Sequence, residues 1–190
     1  APMKAFIMGA LPSAAIELSV VARPKKPFWL PTSIVNVLKI KNTAIAADAP
    51  NRPAVIMAST GQVITFKELD EAANRLSQVL RTAGLNPGDH VAFCIENHPR
   101  YFEILWGCHY AGLIYTACSS RLTTDELNYI INDCGAKAFI TSKHKADQAA
   151  EVASTTPNVS LRLMLDGKID GYDSYEDTVS KASATELANR

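Results

Sequence analysis

The chain has 190 residues, long enough for one domain with a real core, and its 47% apolar content is ordinary for a globular protein. Nineteen Lys+Arg balance nineteen Asp+Glu, so the formal charge is zero and nothing electrostatic points to a nucleic-acid partner. Cys94, Cys108, Cys118 and Cys134 show no paired spacing, which argues against a zinc or redox pair and for reduced cysteines packed as small hydrophobes in the cytoplasm.

Residues 1–32 form an N-terminal arm. Ala1-Pro2 before Met3 reads as a cloning remnant. The apolar run from Ala5 to Ala22 is broken by Pro12 and Glu17, short of the about 20 apolar residues a spanning helix needs. Lys4 ahead of that run, with Ser13-Ala14-Ala15 after it, imitates a secretory signal, but four unpaired cysteines weigh against export. From Arg23 to Pro31 the prolines fix an extended path. An arm packed on its own domain is favoured there, and a peripheral membrane or partner contact is the alternative, because cations beside Phe28 and Trp29 suit an interface.

Residues 33–165 read as regular α/β structure. Ser33 is placed to cap a helix carrying Val35, Leu38, Ile45 and Ala46, which must end before Ala49-Pro50. Ala54–Met57 and Gln62–Thr65 flank a polar turn, Ser59-Thr60-Gly61, and predict a short β-hairpin. Thr65-x-x-Glu68 is a capping box opening a helix with Leu69, Ala72, Ala73, Leu76, Val79 and Leu80 at helical spacing and a stop at Gly84. His90–Ile95 reads as a strand. Pro99 begins a helix through Phe102, Leu105, Trp106 and His109, in which Trp106 is placed in the core. Leu113–Ala117 is the next strand, with Tyr115 also taken as a core aromatic. Thr123-x-x-Glu126 is a second capping box, followed by Leu127, Ile130, Ile131 and a stop at Gly135. Lys137–Thr141 is a strand, Ser142 is placed to cap a helix to Val152, and Leu161–Leu165 is a further strand. Such alternation predicts right-handed βαβ units and a mainly parallel sheet with helices on both faces. Residues 166–190, poor in large apolar side chains, predict a loosely held polar tail.

Ile64 to Ser142 resembles the N-terminal part of the AMP-forming acyl-CoA synthetases, a family of adenylate-forming ligases. The matching pieces are Thr65-Phe66-x-Glu68-Leu69, Ala73-Asn74-Arg75-Leu76, Gly84-Leu85-x-x-Gly88-Asp89-x-Val91-Ala92 and Asn97-x-Pro99. They continue through Trp106-Gly107, Ala111-Gly112, Leu122-Thr123-x-x-Glu126-Leu127 and Gly135-Ala136-Lys137. The resemblance implies that 33–165 belongs to the large N-terminal domain of such a ligase. It implies ATP, Mg²⁺ and coenzyme A for the parent enzyme, a carboxylic acid (first a fatty acid) as substrate, and an aryl-acid CoA ligase or acyl-AMP ligase as alternatives within the family. The family's phosphate loop, later adenylate motifs and catalytic lysine do not occur in the 190 residues. The chain is therefore expected to be a catalytically inactive fragment, with its tail leading toward the phosphate loop and a dimer forming through surface left exposed.

Ligands of open α/β sheets sit beyond the carboxyl ends of strands, which points to Asn97 and His98 after one strand and Ser119 and Ser120 after the next as substrate contacts. No catalytic residue is assigned. Two departures from the family pattern fall here: Ala117 and Ser119 replace its proline and asparagine, and Arg100 stands where glutamate is common. No Ser, Cys or carboxylate is placed in the sequence to pair with His98. A reading of another class is a stand-alone, non-enzymatic α/β binding module.

Overall fold

The computed structural model describes residues 43–188. The expected arm and the cap at Ser33 lie outside them. Residues 43–48 are helical and the helix ends before Ala49-Pro50, where proline forbids its continuation. Strands β1 (Pro53–Ile56) and β2 (Val63–Thr65) pair antiparallel as the expected hairpin.

The remaining chain builds one sheet and its helices. In order these are α1 (Phe66–Thr82), β3 (His90–Cys94), α2 (Tyr101–Tyr110), β4 (Ile114–Cys118), α3 (Thr124–Asp133), β5 (Ala136–Ser142), α4 (Ala146–Thr155), β6 (Leu161–Leu165), β7 (Asp173–Ser174) and α5 (Tyr175–Ser180). A 3₁₀ turn, Lys143–Lys145, joins β5 to α4. The sheet is parallel throughout, with strand order β4-β3-β5-β6-β7.

Alternation along the strands divides the core between two faces. Val91, Phe93, Ala138, Ile140, Leu163 and Leu165 point to one face, where α1, α2 and α5 cover them with Leu76, Leu80, Ile104, Cys108, Tyr175 and Val179. Ala92, Cys94, Phe139 and Met164 point to the other, under Leu127 and Ile131 of α3 and Val152 of α4. Both faces of β3, β5 and β6 are thus buried, as a parallel sheet requires. Helix α1 buries Leu69, Ala73, Leu76 and Leu80, one stripe at helical spacing. Gly107 lets α2 lie against it, since a Cβ there would stand 2.6 Å from Leu76 Cδ2.

Three expectations are corrected. Ser142 caps nothing with its side chain, because its hydroxyl donates instead to Glu96 Oε2 at 2.6 Å. The segment from Asp166 is not loosely held: Tyr172, Tyr175 and Val179 are buried, and Ser174 caps α5 through the Asp177 amide. The chain beyond α5 is also anchored, as Arg75 Nη1 donates to the Ala182 carbonyl at 2.6 Å and Gln78 Nε2 to the Thr185 carbonyl at 2.8 Å. Nor is Tyr115 a core residue. It is 44% exposed because β4 is an edge strand, and Trp106 beside it is only partly buried.

Both capping boxes form. Thr65 Oγ1 accepts the Glu68 amide and Thr123 Oγ1 that of Glu126, while each glutamate accepts the amide of its threonine. Those backbone bonds first, and the threonine hydroxyls second, hold Glu68 and Glu126 below the ordinary carboxylate range. Because the folded values are depressed, this stabilisation is complete above the ordinary 4.5 and is lost as pH falls through the lowered folded values. Thr65→Ala and Thr123→Ala should each cost about 0.5–2 kcal/mol in urea denaturation, with serine recovering most of the loss. Glutamine at positions 68 and 126 should flatten the acid limb of the stability profile; an unchanged limb would show that the boxes do not set it.

Candidate active-site edge

Counted within the sheet, the strand order is 2-1-3-4-5, which reverses at β3. After β3 the chain moves to β4 on one side, then crosses back to β5 on the other. The crevice beyond the carboxyl ends of β3 and β5 is therefore the topological switch point, the usual ligand position in such sheets. The loop after β3 carries Asn97 and His98 to it, and the loop after β4 lies alongside with Ser119 and Ser120.

The side chains at this edge are occupied with one another. His98 Nδ1 accepts the Arg100 backbone amide at 3.1 Å, so Nε2 bears the proton and donates to Asp166 Oδ2 at 3.0 Å. A carboxylate thus pairs with His98 after all, supplied from 68 positions along the chain. With both nitrogens engaged, His98 has no lone pair to act as a base. Asp166 adopts φ 59°, the left-handed conformation that Asp and Asn tolerate best among residues with a Cβ. Across the crevice Glu96 accepts from Ser142, and Thr141 Oγ1 donates to the Cys94 carbonyl at 2.8 Å. Ser119 Oγ accepts the Arg121 amide at 3.2 Å within its own loop. Asn97 is exposed and Ser120 half-buried. The four residues share one edge but do not converge on one point; Glu96, Ser142 and Asp166 are the members of that edge that sequence reading missed.

Arg100, at a position where the family commonly has glutamate, answers a buried acid. Glu103 is 4% exposed, accepting Arg100 Nη1 at 2.9 Å on one oxygen and the Tyr175 hydroxyl at 2.9 Å on the other. The guanidinium also lies 5.7 Å from the Tyr175 ring centroid and 3.4 Å from Glu176, the latter without hydrogen-bond geometry. Burial, and then Glu103, push the Tyr175 phenol well above its usual pKa, so it stays a donor.

Neither a metal site nor a reactive thiol emerges. Among the described residues no group of three or more His, Cys, Asp or Glu is arranged to hold a metal ion. At the carboxyl edge Glu96 and Asp166 are engaged with Ser142 and His98. Burial pushes the Cys108 and Cys118 thiols up to about 12, and that of Cys94 upward as well. Among the described residues no helix is long and apolar enough to cross a membrane.

Away from the crevice, α2 and the sheet edge expose an apolar face. Two adjoining grooves share Phe102 and Trp106, one of about 190 Å³ against the hairpin and one of about 290 Å³ reaching His109 and Tyr115. Phe102 and Ile114 are 47% and 49% exposed, and among the described residues β4 has a strand neighbour on one side only.

A doubly wound parallel sheet with a polar carboxyl edge is an architecture that many unrelated functions share, and comparison narrows it. Residues 43–189 match the AMP-binding enzyme family, and the chain belongs to that family. It is 36% identical over 113 residues to a feruloyl-CoA synthase from Amycolatopsis, covering 60% of this chain and 22% of that protein. It is also 36% identical over 118 residues to the fatty acid–[acyl-carrier-protein] ligase ScoC of Streptomyces coeruleorubidus, covering 62% and 22%. The chain thus spans about a fifth of the length of these curated relatives. Its fold matches the N-terminal domain of FACL13 from Mycobacterium tuberculosis with a TM-score of 0.69 at 23% identity, covering 77% of this chain and 36% of that one. The anthranilate CoA ligase AuaEII, solved with anthranoyl-AMP, matches with a TM-score of 0.69 at 20% identity, covering 76% and 28%.

The His98–Asp166 pair yields a separable test of fold against chemistry. Asp166→Asn keeps an acceptor for Nε2 and tolerates the left-handed backbone, so stability should stay within about 0.5 kcal/mol. Asp166→Ala loses both features and should cost about 1–2 kcal/mol by urea denaturation. Equal losses in the two variants would show that the ionised carboxylate, not the hydrogen bond and backbone, carries the effect.

Proposed function

We propose that this chain is the sheet-forming N-terminal part of an ATP-dependent acid–CoA ligase. The observation that carries the proposal is membership of the AMP-binding enzyme family over residues 43–189. In the proposed reaction the carboxylate attacks ATP, pyrophosphate departs, and the acyl-adenylate so formed offers AMP as a good leaving group. The thiol of coenzyme A then attacks the acyl carbon and releases AMP. Stabilising the transferring phosphoryl charge requires cationic groups and a metal placed around it. We assign the described residues no chemical step and propose that Mg²⁺ and the phosphates lie against other parts of the complete polypeptide. The contribution of residues 43–188 is shape: a rigid carboxyl edge on which Asn97, His98, Ser119 and Ser120 border the substrates.

A fatty acid is the substrate we propose, in keeping with the likeness to ScoC; the equal identity to a feruloyl-CoA synthase favours an aryl acid as the second reading. Acid-dependent exchange of labelled pyrophosphate into ATP tests both. The complete polypeptide should catalyse it with one of the two acid classes, and residues 43–188 alone should not. Exchange by the isolated segment, abolished by substitutions within it, would overturn the assignment of the chemistry elsewhere. No exchange by the complete polypeptide with any acid would favour a non-enzymatic binding module.

The apolar face of α2 and β4 fits the same proposal. We place another part of the same polypeptide over Phe102, Trp106 and Tyr115, since patches of this kind mark interfaces. Residues 43–188 should accordingly enhance the fluorescence of an apolar dye, with Phe102→Ser and Tyr115→Ser reducing the signal, whereas the complete protein should be a monomer with little dye bound. A complete protein that dimerises until Tyr115 is made polar would assign the face to a second copy instead.

A further inference from the structure

Three basic residues in succession, Lys143, His144 and Lys145, precede α4, and Lys145 stands at its N-cap with no side-chain capping bond. Cations are disfavoured there, because the unpaired amides of a helix start already carry partial positive charge. The direction of the Lys145 side chain resolves the conflict. Its ammonium donates to the carbonyl of Ser120, in the loop after β4. One turn into the helix, Gln148 Nε2 donates to the Leu122 carbonyl of the same loop at 2.9 Å.

The loop needs such support because of its position. Among the described residues β4 lies at the sheet edge, with β3 as its one strand neighbour. From that side Cys94 Sγ approaches the Ser119 carbonyl at 3.5 Å, a weak bond from a thiol. Internally the loop is a closed turn, with the Leu122 amide on the Ser119 carbonyl at 3.3 Å and the Arg121 amide on Ser119 Oγ at 3.2 Å. Its shape is held internally, then, while Leu122 packs against the core and the polar tethers come from the start of α4. A charged donor makes Lys145 the stronger of the two tethers.

We propose that Lys145 and Gln148 are positioning residues for acid activation: they hold the Ser119–Leu122 loop at the carboxyl edge, beside the β3/β5 switch point, so that it forms a fixed wall for the acid. The proposal rests on the ligase reading above.

The test compares Lys145→Met, which keeps the stem and loses the donor, with Lys145→Arg, which keeps a donor, in the complete polypeptide. In the methionine variant amide hydrogen exchange in the loop, at Arg121 and Leu122, should quicken by on the order of tenfold, with α1 and α2 unchanged. The KM for the acid should rise on the order of tenfold while the melting temperature holds, and arginine should restore both. Gln148→Met should shift the same readouts less, and serves if Lys145→Met does not fold. Unchanged loop exchange would overturn the tether. Faster loop exchange with wild-type kinetics, or a loss of turnover that only follows melting, would overturn the positioning role. A wild type inert with every acid would defeat the ligase reading and this role with it, a result told apart by the amide exchange, which would still report the tether.

Discussion

The structure depends on one constraint: β3 has to bury both of its faces at once. Val91 and Phe93 on one side and Ala92 and Cys94 on the other are 0–1% exposed. A strand so placed needs parallel neighbours on both edges and helices above and below, and only crossover connections supply them. Because the chain leaves β3 for β4 and then crosses back to β5, the loops after β3 and β5 diverge to opposite faces and leave the crevice between them. The positions of Glu96, His98 and Ser142 follow from that reversal. The polar bonds across the crevice cost little to organise, since the strands that present them are already fixed by the apolar packing beneath.

The last described segment is held by a different force. Burying Glu103 at 4% exposure would be expensive for an unpaired carboxylate, and both of its oxygens are met, by Arg100 and Tyr175. Removing Tyr175 would leave a buried oxygen unsatisfied and also open the apolar cluster that its ring fills with Val179. Arg100 in place of the family's commoner glutamate is therefore consistent with its surroundings, because a third acid beside Glu103 and Glu176 would repel both. A departure from family pattern that looks like damage to a site in one dimension is, in three, the counter-ion of a structural acid.

What was legible in the sequence was local. The capping boxes at Thr65 and Thr123, the glycine stops at Gly84 and Gly135, and the apolar strands from His90 to Leu165 each depend on residues a few positions apart. Pairings between distant positions left no such signal: His98 with Asp166, and Glu103 with Tyr175, lie 68 and 72 residues apart. Tyr115 was misplaced for a related reason, since Ile-Tyr-Thr-Ala reads alike in a central and an edge strand, and only the strand order separates them. The segment after Asp166 did carry a signal, Tyr175 and Val179 four positions apart on one helix face, which its polar average concealed.

The two exposed regions of the molecule differ in what remains for them to do. At the carboxyl edge Glu96, His98, Ser119, Ser142 and Asp166 are engaged with neighbours, so these side chains have little freedom left for proton transfer. Along α2 and β4, by contrast, the groove exposes Phe102 and Tyr115, and among the described residues the outer edge of β4 has no facing strand. On the proposed ligase reading, such a domain shapes a site whose reactive groups come from elsewhere. The placement of loops such as Ser119–Leu122, more than the identity of any side chain on them, is then what substitutions in this segment can alter.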